Sequence, residues 1–132
     1  MRNTRLLSIL MLIGLVAGSA VMASAQEWRR IGQKDVSFHA DHDTLGVGRG
    51  AGQFAQVKIE VKRAPVHFSR VVVTFENGRK QELEFRDFIQ PGGETRAIDL
   101  DGNERFIKKV DYWYETESLG GKKAEVTLYG RR

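Results

Sequence analysis

The chain has 132 residues, of which 21 are basic and 17 acidic, and it contains no cysteine. Without cysteine, neither disulfides nor a cysteine-linked lipid can hold the protein, so its stability must come from burial and hydrogen bonding. The formal net charge is +4 at pH 7, but the basic and acidic residues are interleaved, which argues against a nucleic-acid partner.

The N-terminus has the pattern of a secretory signal peptide. Arg2 and Arg5 precede the apolar run LLSILMLIGLVAG, which leads to Ala23-Ser24-Ala25, an A-x-A cleavage signal. An uncleaved anchor is the alternative, because the uncharged residues 6–25 are about as many as a membrane-spanning helix needs. Glycine and serine interrupt the second half of this segment, so the pattern favours cleavage.

Cleavage after Ala25 defines a signal peptide at residues 1–25 and a domain at residues 26–132. The 132 residues less these 25 leave 107, enough for one small domain. The removed segment carries two arginines and no acid, so the formal charge falls from +4 to +2. We predict a soluble periplasmic or secreted protein that makes no stable membrane insertion after cleavage.

Apolar and polar residues alternate through most of the domain. In QVKIEVK, Val57, Ile59 and Val61 share one face while charged residues share the other, which is typical of a strand with one solvated side. Similar alternation occurs in DVSFHA, RVVVTF, KQELEF and AEVTLYG. These segments predict strands and no long helix.

Turn signals separate the alternating segments. Asn77-Gly78 lies between two of them and is the strongest short hairpin signal in the sequence. The glycine pairs at 92–93 and 120–121 predict loops, because glycine reaches positive φ freely. About eight short strands between such turns predict an all-β fold, a single antiparallel β-sandwich of jelly-roll-like form.

Three potential metal ligands occur at alternate positions near the start of the domain. His39, Asp41 and Asp43 share one face if the segment is extended, and such a face can bind zinc or copper. The same arrangement also suits a solvated strand edge. A divalent metal is therefore the one cofactor that the sequence leaves open.

Catalytic patterns are incomplete. The sequence has no G-x-S-x-G nucleophile elbow, and no histidine accompanies a recognisable nucleophile motif. Glu82 and Glu84 alternate with Leu83 and Phe85, which predicts that the two carboxylates face solvent. These observations favour a non-catalytic role without deciding it.

The segment TRAIDLDGNERF contains both a turn signal and a cluster of charges. Asp101-Gly102 predicts a chain reversal, because aspartate bonds the backbone ahead of it and glycine accepts a left-handed conformation. We expect Arg96, Asp99 and Arg105 to form a charge-assisted network across this hairpin. The segment TRAIDLDGNERF is then either a turn stabilised by these charges or a binding site.

Trp113 is the large residue on the polar face of the strand that follows. Val110, Tyr112 and Tyr114 share one face of this strand, while Asp111, Trp113 and Glu115 share the other. An exposed Trp113 would serve as a stacking platform for a sugar or as an anchor for a partner. A covered Trp113 would belong to the core.

The pattern GETRAIDLDGNERFIKKVDYWY followed by KAEVTLYG resembles that of small exported bacterial all-β proteins classed as domains of unknown function. The resemblance extends from about Trp28 to Gly130. It depends on spaced residues: Arg96, Ile98, Asp99, Leu100, Gly102, Arg105, Ile107 and Tyr114. It implies an all-β periplasmic or secreted protein and carries over no catalytic residue.

The sequence therefore predicts an exported bacterial envelope protein that acts as a non-catalytic binding module for a protein or a glycan. The candidate binding residues are Trp113, Arg96, Asp99 and Arg105. The alternative is a small metal-binding protein or metal-dependent hydrolase that uses His39, Asp41 and Asp43.

Overall fold

The computed structural model describes residues 27–36, 42–85, 87–103, 105–116 and 123–132. Within these ranges it has ten strands and one turn of 3-10 helix at Arg49–Ala51. The strands are β1 (Arg29–Val36), β2 (His42–Gly46), β3 (Gln53–Phe54), β4 (Gln56–Lys62), β5 (Val66–Phe75), β6 (Lys80–Glu82), β7 (Phe88–Ile89), β8 (Ile98–Asp99), β9 (Arg105–Thr116) and β10 (Ala124–Arg131). The predicted signal peptide at 1–25 lies outside the described residues.

The strands form two antiparallel sheets. One is four-stranded in the order β1-β10-β4-β8, and the other has the order β2-β9-β5-β6, with β3 beside β9 and β7 beside β5. When β3 and β7 are left out, eight strands remain. Counted along the chain, the first of these pairs with the last, the second with the seventh, the third with the sixth and the fourth with the fifth. This nested pairing is a jelly roll, so the predicted antiparallel sandwich is confirmed.

The core lies between the two sheets and follows the alternation of the sequence. Val57, Ile59 and Val61 of β4 are fully buried, and Val73 and Val110 of the facing sheet are too. Burying each such side chain stabilises the fold by about 1.5–3 kcal/mol. No helix in the described ranges has the length and apolarity that crossing a bilayer requires.

Strand β9 is the long central strand of the six-stranded sheet. The register of its pairing with β5 shifts between Thr74 and Phe75, and the strand presents both Ile107 and Val110 to the core. From Val110 onward the alternation is regular, so Asp111 and Trp113 lie on the outer face, as the sequence predicts.

The Asn77-Gly78 turn is confirmed. Phe75 O accepts a hydrogen bond from Gly78 N at 2.9 Å, and Phe75 N donates to Arg79 O at 2.8 Å. Gly78 alone among the loop residues takes a positive φ, of 88°. The hairpin is therefore closed by a three-residue loop with a left-handed glycine, a common alternative to the two-residue turn.

Candidate functional site on the outer face of the six-stranded sheet

Polar and aromatic side chains from four neighbouring strands meet on the outer face of the six-stranded sheet. Trp113 of β9 pairs with His42 of β2 and with Arg70 of β5, and Asp111 pairs with Thr44 of β2. Val72 of β5 pairs with Asp111 on one side and with Glu82 of β6 on the other. We call this surface the Trp113 face; it consists of His42, Thr44, Arg70, Glu82, Asp111 and Trp113.

Trp113 lies between two side chains that reach it from opposite neighbouring strands. The His42 ring stacks on the indole with a centroid separation of 4.5 Å and an interplanar angle of 13°. On the other side, Arg70 Cζ lies 5.2 Å from the ring centroid. Trp113 is consequently half-buried.

Asp111 is the buried carboxylate of this face, with only 7% of its surface exposed. Thr44 Oγ1 donates to Asp111 Oδ1 at 2.5 Å, and His42 Nε2 lies 3.0 Å from the same oxygen. Lys109 Nζ is 3.6 Å from Oδ2. Burial alone would raise the pKa of Asp111, but the hydrogen bonds from Thr44 and His42 and the nearby positive charge outweigh it, so the pKa is lowered.

Arg70 is fixed on its far side by a second carboxylate. Its Nε donates to Glu82 Oε1 at 2.6 Å, and both side chains are more than half exposed. A pair this exposed contributes little to stability. Its effect is to orient the guanidinium beside Trp113.

This arrangement suits binding better than nucleophilic catalysis. A histidine held by a carboxylate can act as a base only when a nucleophile lies within its reach. The hydroxyl beside this pair belongs to Thr44, and it donates to Asp111 instead of to His42. The result is a row of side chains whose positions are set by each other.

The sequence-predicted binding residues are separated by the fold. Trp113 belongs to the Trp113 face, whereas Arg96 and Asp99 line a groove of about 470 Å³ between β6 and β8. Arg105 lines a different cleft, at the start of β9. The structure thus brings Arg96 and Asp99 together and places the other two elsewhere.

The expected network among Arg96, Asp99 and Arg105 is wrong. Arg96 Nη2 donates to the Glu84 carbonyl at 2.7 Å, and Asp99 Oδ1 accepts from Gln56 at 2.7 Å. Arg105 Nη1 donates to the Asp101 carbonyl at 2.9 Å. Both arginines donate to backbone carbonyls, which the spacing of charges does not reveal.

The predicted metal ligands are described only in part. His39 and Asp41 lie outside the described residues, while Asp43 in β2 accepts a hydrogen bond from the Tyr114 hydroxyl. The described ranges contain no group of three or more potential ligands that could hold a metal ion. A metal site at His39, Asp41 and Asp43 stays a prediction.

Three residues beside Trp113 were missed by sequence reasoning: His42, Thr44 and Arg70. The alternation places Asp111 and Trp113 on one face, but the partners come from strands about 70 and 40 positions away. A single sequence carries no signal for that register. The polar spacing of His42 and Thr44 is the one hint, since both then share a face of β2.

The chain is similar to a solved structure and matches a family model. Among solved structures, the chain is similar to a mutant of the carbohydrate-binding module CBM29-2 complexed with cellulohexaose, with 15% identity over 81% of this chain and 78% of that chain and a TM-score of 0.33. A search of curated proteins gives no significant match. A family model matches residues 6–130, and the chain therefore belongs to the family described as Domain of unknown function (DUF2541).

Proposed function

We propose that the protein is an exported, non-catalytic binding module of the bacterial envelope that holds a protein or glycan ligand on its Trp113 face. The observation that carries this proposal is the row His42–Trp113–Arg70, in which the indole is flanked on both sides and stays half-exposed. Export rests on the signal-peptide pattern of residues 1–25.

The energetics of association favour such a row as a contact point. Binding costs about 0.5–1.5 kcal/mol for each flexible side chain that it immobilises. Here Arg70 is already fixed by Glu82, and His42 is already fixed by Asp111. Tryptophan and arginine are also the residues that most often dominate binding energy, so this surface offers strong contacts at reduced entropic cost.

The mixed charges of the face define the ligand chemistry that it accepts. Arg70 on the neighbouring strand β5 and Lys109 on β9 supply donors, and Glu82 on β6, beyond β5, supplies an acceptor. Hydroxyl-rich glycans and polar protein surfaces both match alternating donors and acceptors. The flanked indole contacts such a ligand through its edge.

A retention experiment tests the proposal. Protein recovered after export of the full chain is immobilised and exposed to envelope extract and to a panel of cell-wall glycans. Trp28→Ala is the matched control, because Trp28 lies under Lys58 and Arg131 at 4.8 and 4.3 Å and so belongs to the other sheet.

We expect Trp113→Ala and Arg70→Ala each to weaken retention by at least about tenfold, as removal of an interface anchor does, while Trp28→Ala retains the ligand. Retention that survives Trp113→Ala would place the ligand elsewhere. The proposal also fails if nothing is retained by the folded protein, or if the protein turns over a substrate.

A further inference from the structure

A second recess lies at the end of the sandwich where β9 begins. It is a cleft of about 340 Å³, enclosed by the loop between β2 and β3, the turn between β5 and β6, and the first residues of β9. Arg105 at this cleft precedes Trp113 by eight positions along β9, or roughly 26 Å at about 3.3 Å per residue. The cleft and the Trp113 face are therefore separate surfaces.

Two arginines in this cleft lie over the rings of two phenylalanines. Arg49 Cζ is 4.4 Å from the centroid of Phe106, and Arg105 Cζ is 4.1 Å from that of Phe75. A guanidinium carries its N–H donors in its own plane. The cation–π contact with a ring helps to hold the guanidinium in place without using those N–H donors.

Arg49 is an exposed donor residue of the cleft. Its described interaction is the contact with Phe106. The 3-10 turn that carries it is bounded by Gly48 and Gly52, whose φ values are 82° and 95°. The short turn thus positions a guanidinium over the cleft, and no hydrogen bond to another described residue engages its N–H donors.

Arg105 adds fixed positive charge beneath the cleft. Its Nη1 donates to the Asp101 carbonyl at 2.9 Å, whereas its Nη2 is buried without a hydrogen-bond partner in the described part of the chain. A buried donor without a partner is energetically unfavourable. An anion close by would offset part of that cost through its charge.

The remaining polar groups of the cleft are two amides and one acid. Asn77 Oδ1 accepts from Arg79 N at 3.0 Å, which leaves the Asn77 NH₂ group as a donor. Gln53 also lines the cleft, and Glu76 is the acid on its wall. Two guanidinium charges against one carboxylate make the recess positive.

We propose that this cleft binds a small ligand through a carboxylate or phosphate group, with the Arg49 fork as the recognising group. Planar guanidinium donors match both oxyanions in a bidentate geometry. The part-buried Phe106 supplies apolar surface for the rest of the ligand, and the amides of Gln53 and Asn77 supply further donors. This site does not depend on the ligand of the Trp113 face.

Titration calorimetry at constant ionic strength tests the site, with inorganic phosphate and acetate as separate probes. Four proteins are compared: the parent, Arg49→Gln, Arg49→Lys and Arg132→Gln. Arg132 is the matched control, because its Nη2 lies near Gly52 beside the same loop but the residue does not line this cleft. A thermal melt of each variant verifies folding.

We expect saturable binding of at least one probe, weakened about tenfold or more by Arg49→Gln and less by Arg49→Lys, which keeps the charge but loses the fork. Arg132→Gln should leave binding unchanged. Binding of phosphate alone or of acetate alone identifies the oxyanion. Absence of saturable binding of both, or an equal loss in Arg132→Gln, overturns the proposal.

Discussion

An ideal Cβ on Gly102 would lie 2.8 Å from Nη1 of Arg105. The guanidinium occupies this position because it donates to the Asp101 carbonyl and lies over the Phe75 ring. Gly102 itself has a φ of 81°, in the region that favours glycine. Arg105 therefore stabilises the turn, and both the positive φ and the position of this side chain require glycine at residue 102.

Gly102→Val should destabilise the domain by about 1–3 kcal/mol, because a β-branched residue is strained at positive φ and its Cβ meets Arg105. Gly46→Val is the matched control, since a Cβ at Gly46 meets nothing within 4 Å. Thermal or urea unfolding of the two variants measures the difference. Equal melting of Gly102→Val and the parent would contradict the strained turn.

Gln81 connects the edges of the two sheets. Its Nε2 donates to the Asp99 carbonyl at 2.9 Å, and its Oε1 accepts from Asp101 N at 2.8 Å. Gln81→Leu removes both hydrogen bonds and should cost about 1–2 kcal/mol. Asp99→Ala is the comparison, because it keeps the backbone carbonyl that Gln81 bonds and removes only the exposed side-chain hydrogen bond from Gln56. If urea unfolding ranks Asp99→Ala as the more destabilised variant, the connection is unimportant.

Tyr112 carries a hydroxyl that the core does not satisfy. The residue is fully buried, and its hydroxyl has no hydrogen-bond partner among the described residues. Burial raises the pKa of Tyr112. Tyr112→Phe removes a buried polar group that costs about 1–3 kcal/mol when unpaired, so the variant should be as stable as the parent or more stable.

Tyr114→Phe gives the contrast, because the Tyr114 hydroxyl donates to Asp43. This variant should lose stability under the same conditions in which Tyr112→Phe does not. Denaturant unfolding of both proteins measures the two changes. A loss of more than about 1 kcal/mol in Tyr112→Phe would mean that its hydroxyl is paired.

Asp111 should make the fold sensitive to acid. Its pKa in the folded protein lies below the ordinary value of 3.8, so the unfolded chain takes up a proton first as the pH falls. The stability that Asp111 contributes is complete above that ordinary value and is lost as the pH falls through the folded pKa. Asp111→Asn should reduce the dependence of the unfolding free energy on pH, measured by urea unfolding from about pH 5 to pH 2. An unchanged dependence would contradict the lowered pKa of Asp111.

The fold was predictable because the domain obeys simple alternation. Val57, Ile59 and Val61 face the core as their spacing requires, and Asn77-Gly78 closes a hairpin. The hairpin expected at Asp101-Gly102 is wrong, because this turn connects β8 of one sheet to β9 of the other. The alternation and the turn signals together predict the fold class, an antiparallel β-sandwich. The pairing of specific strands was not predictable, since it depends on contacts between residues far apart in sequence.

The site was predictable only at its centre. Trp113 and Asp111 share a face of β9 by alternation, whereas His42 and Arg70 reach them through cross-strand registers that leave no local signal. The charge network expected for Arg96, Asp99 and Arg105 failed for a related reason. Long side chains bond whichever backbone carbonyl the fold brings near them.

The Trp113 face, as the place where ligand binds, is tested most directly by tryptophan fluorescence. The chain has two tryptophans, so Trp28→Phe leaves Trp113 as the sole reporter and Trp113→Phe leaves Trp28. Each variant is titrated with the ligand that the parent retains, and acrylamide quenching is measured at each step. We expect ligand to protect Trp113 from quenching and to leave the quenching of Trp28 unchanged; protection of Trp28 with no change at Trp113 would mean that the ligand binds elsewhere.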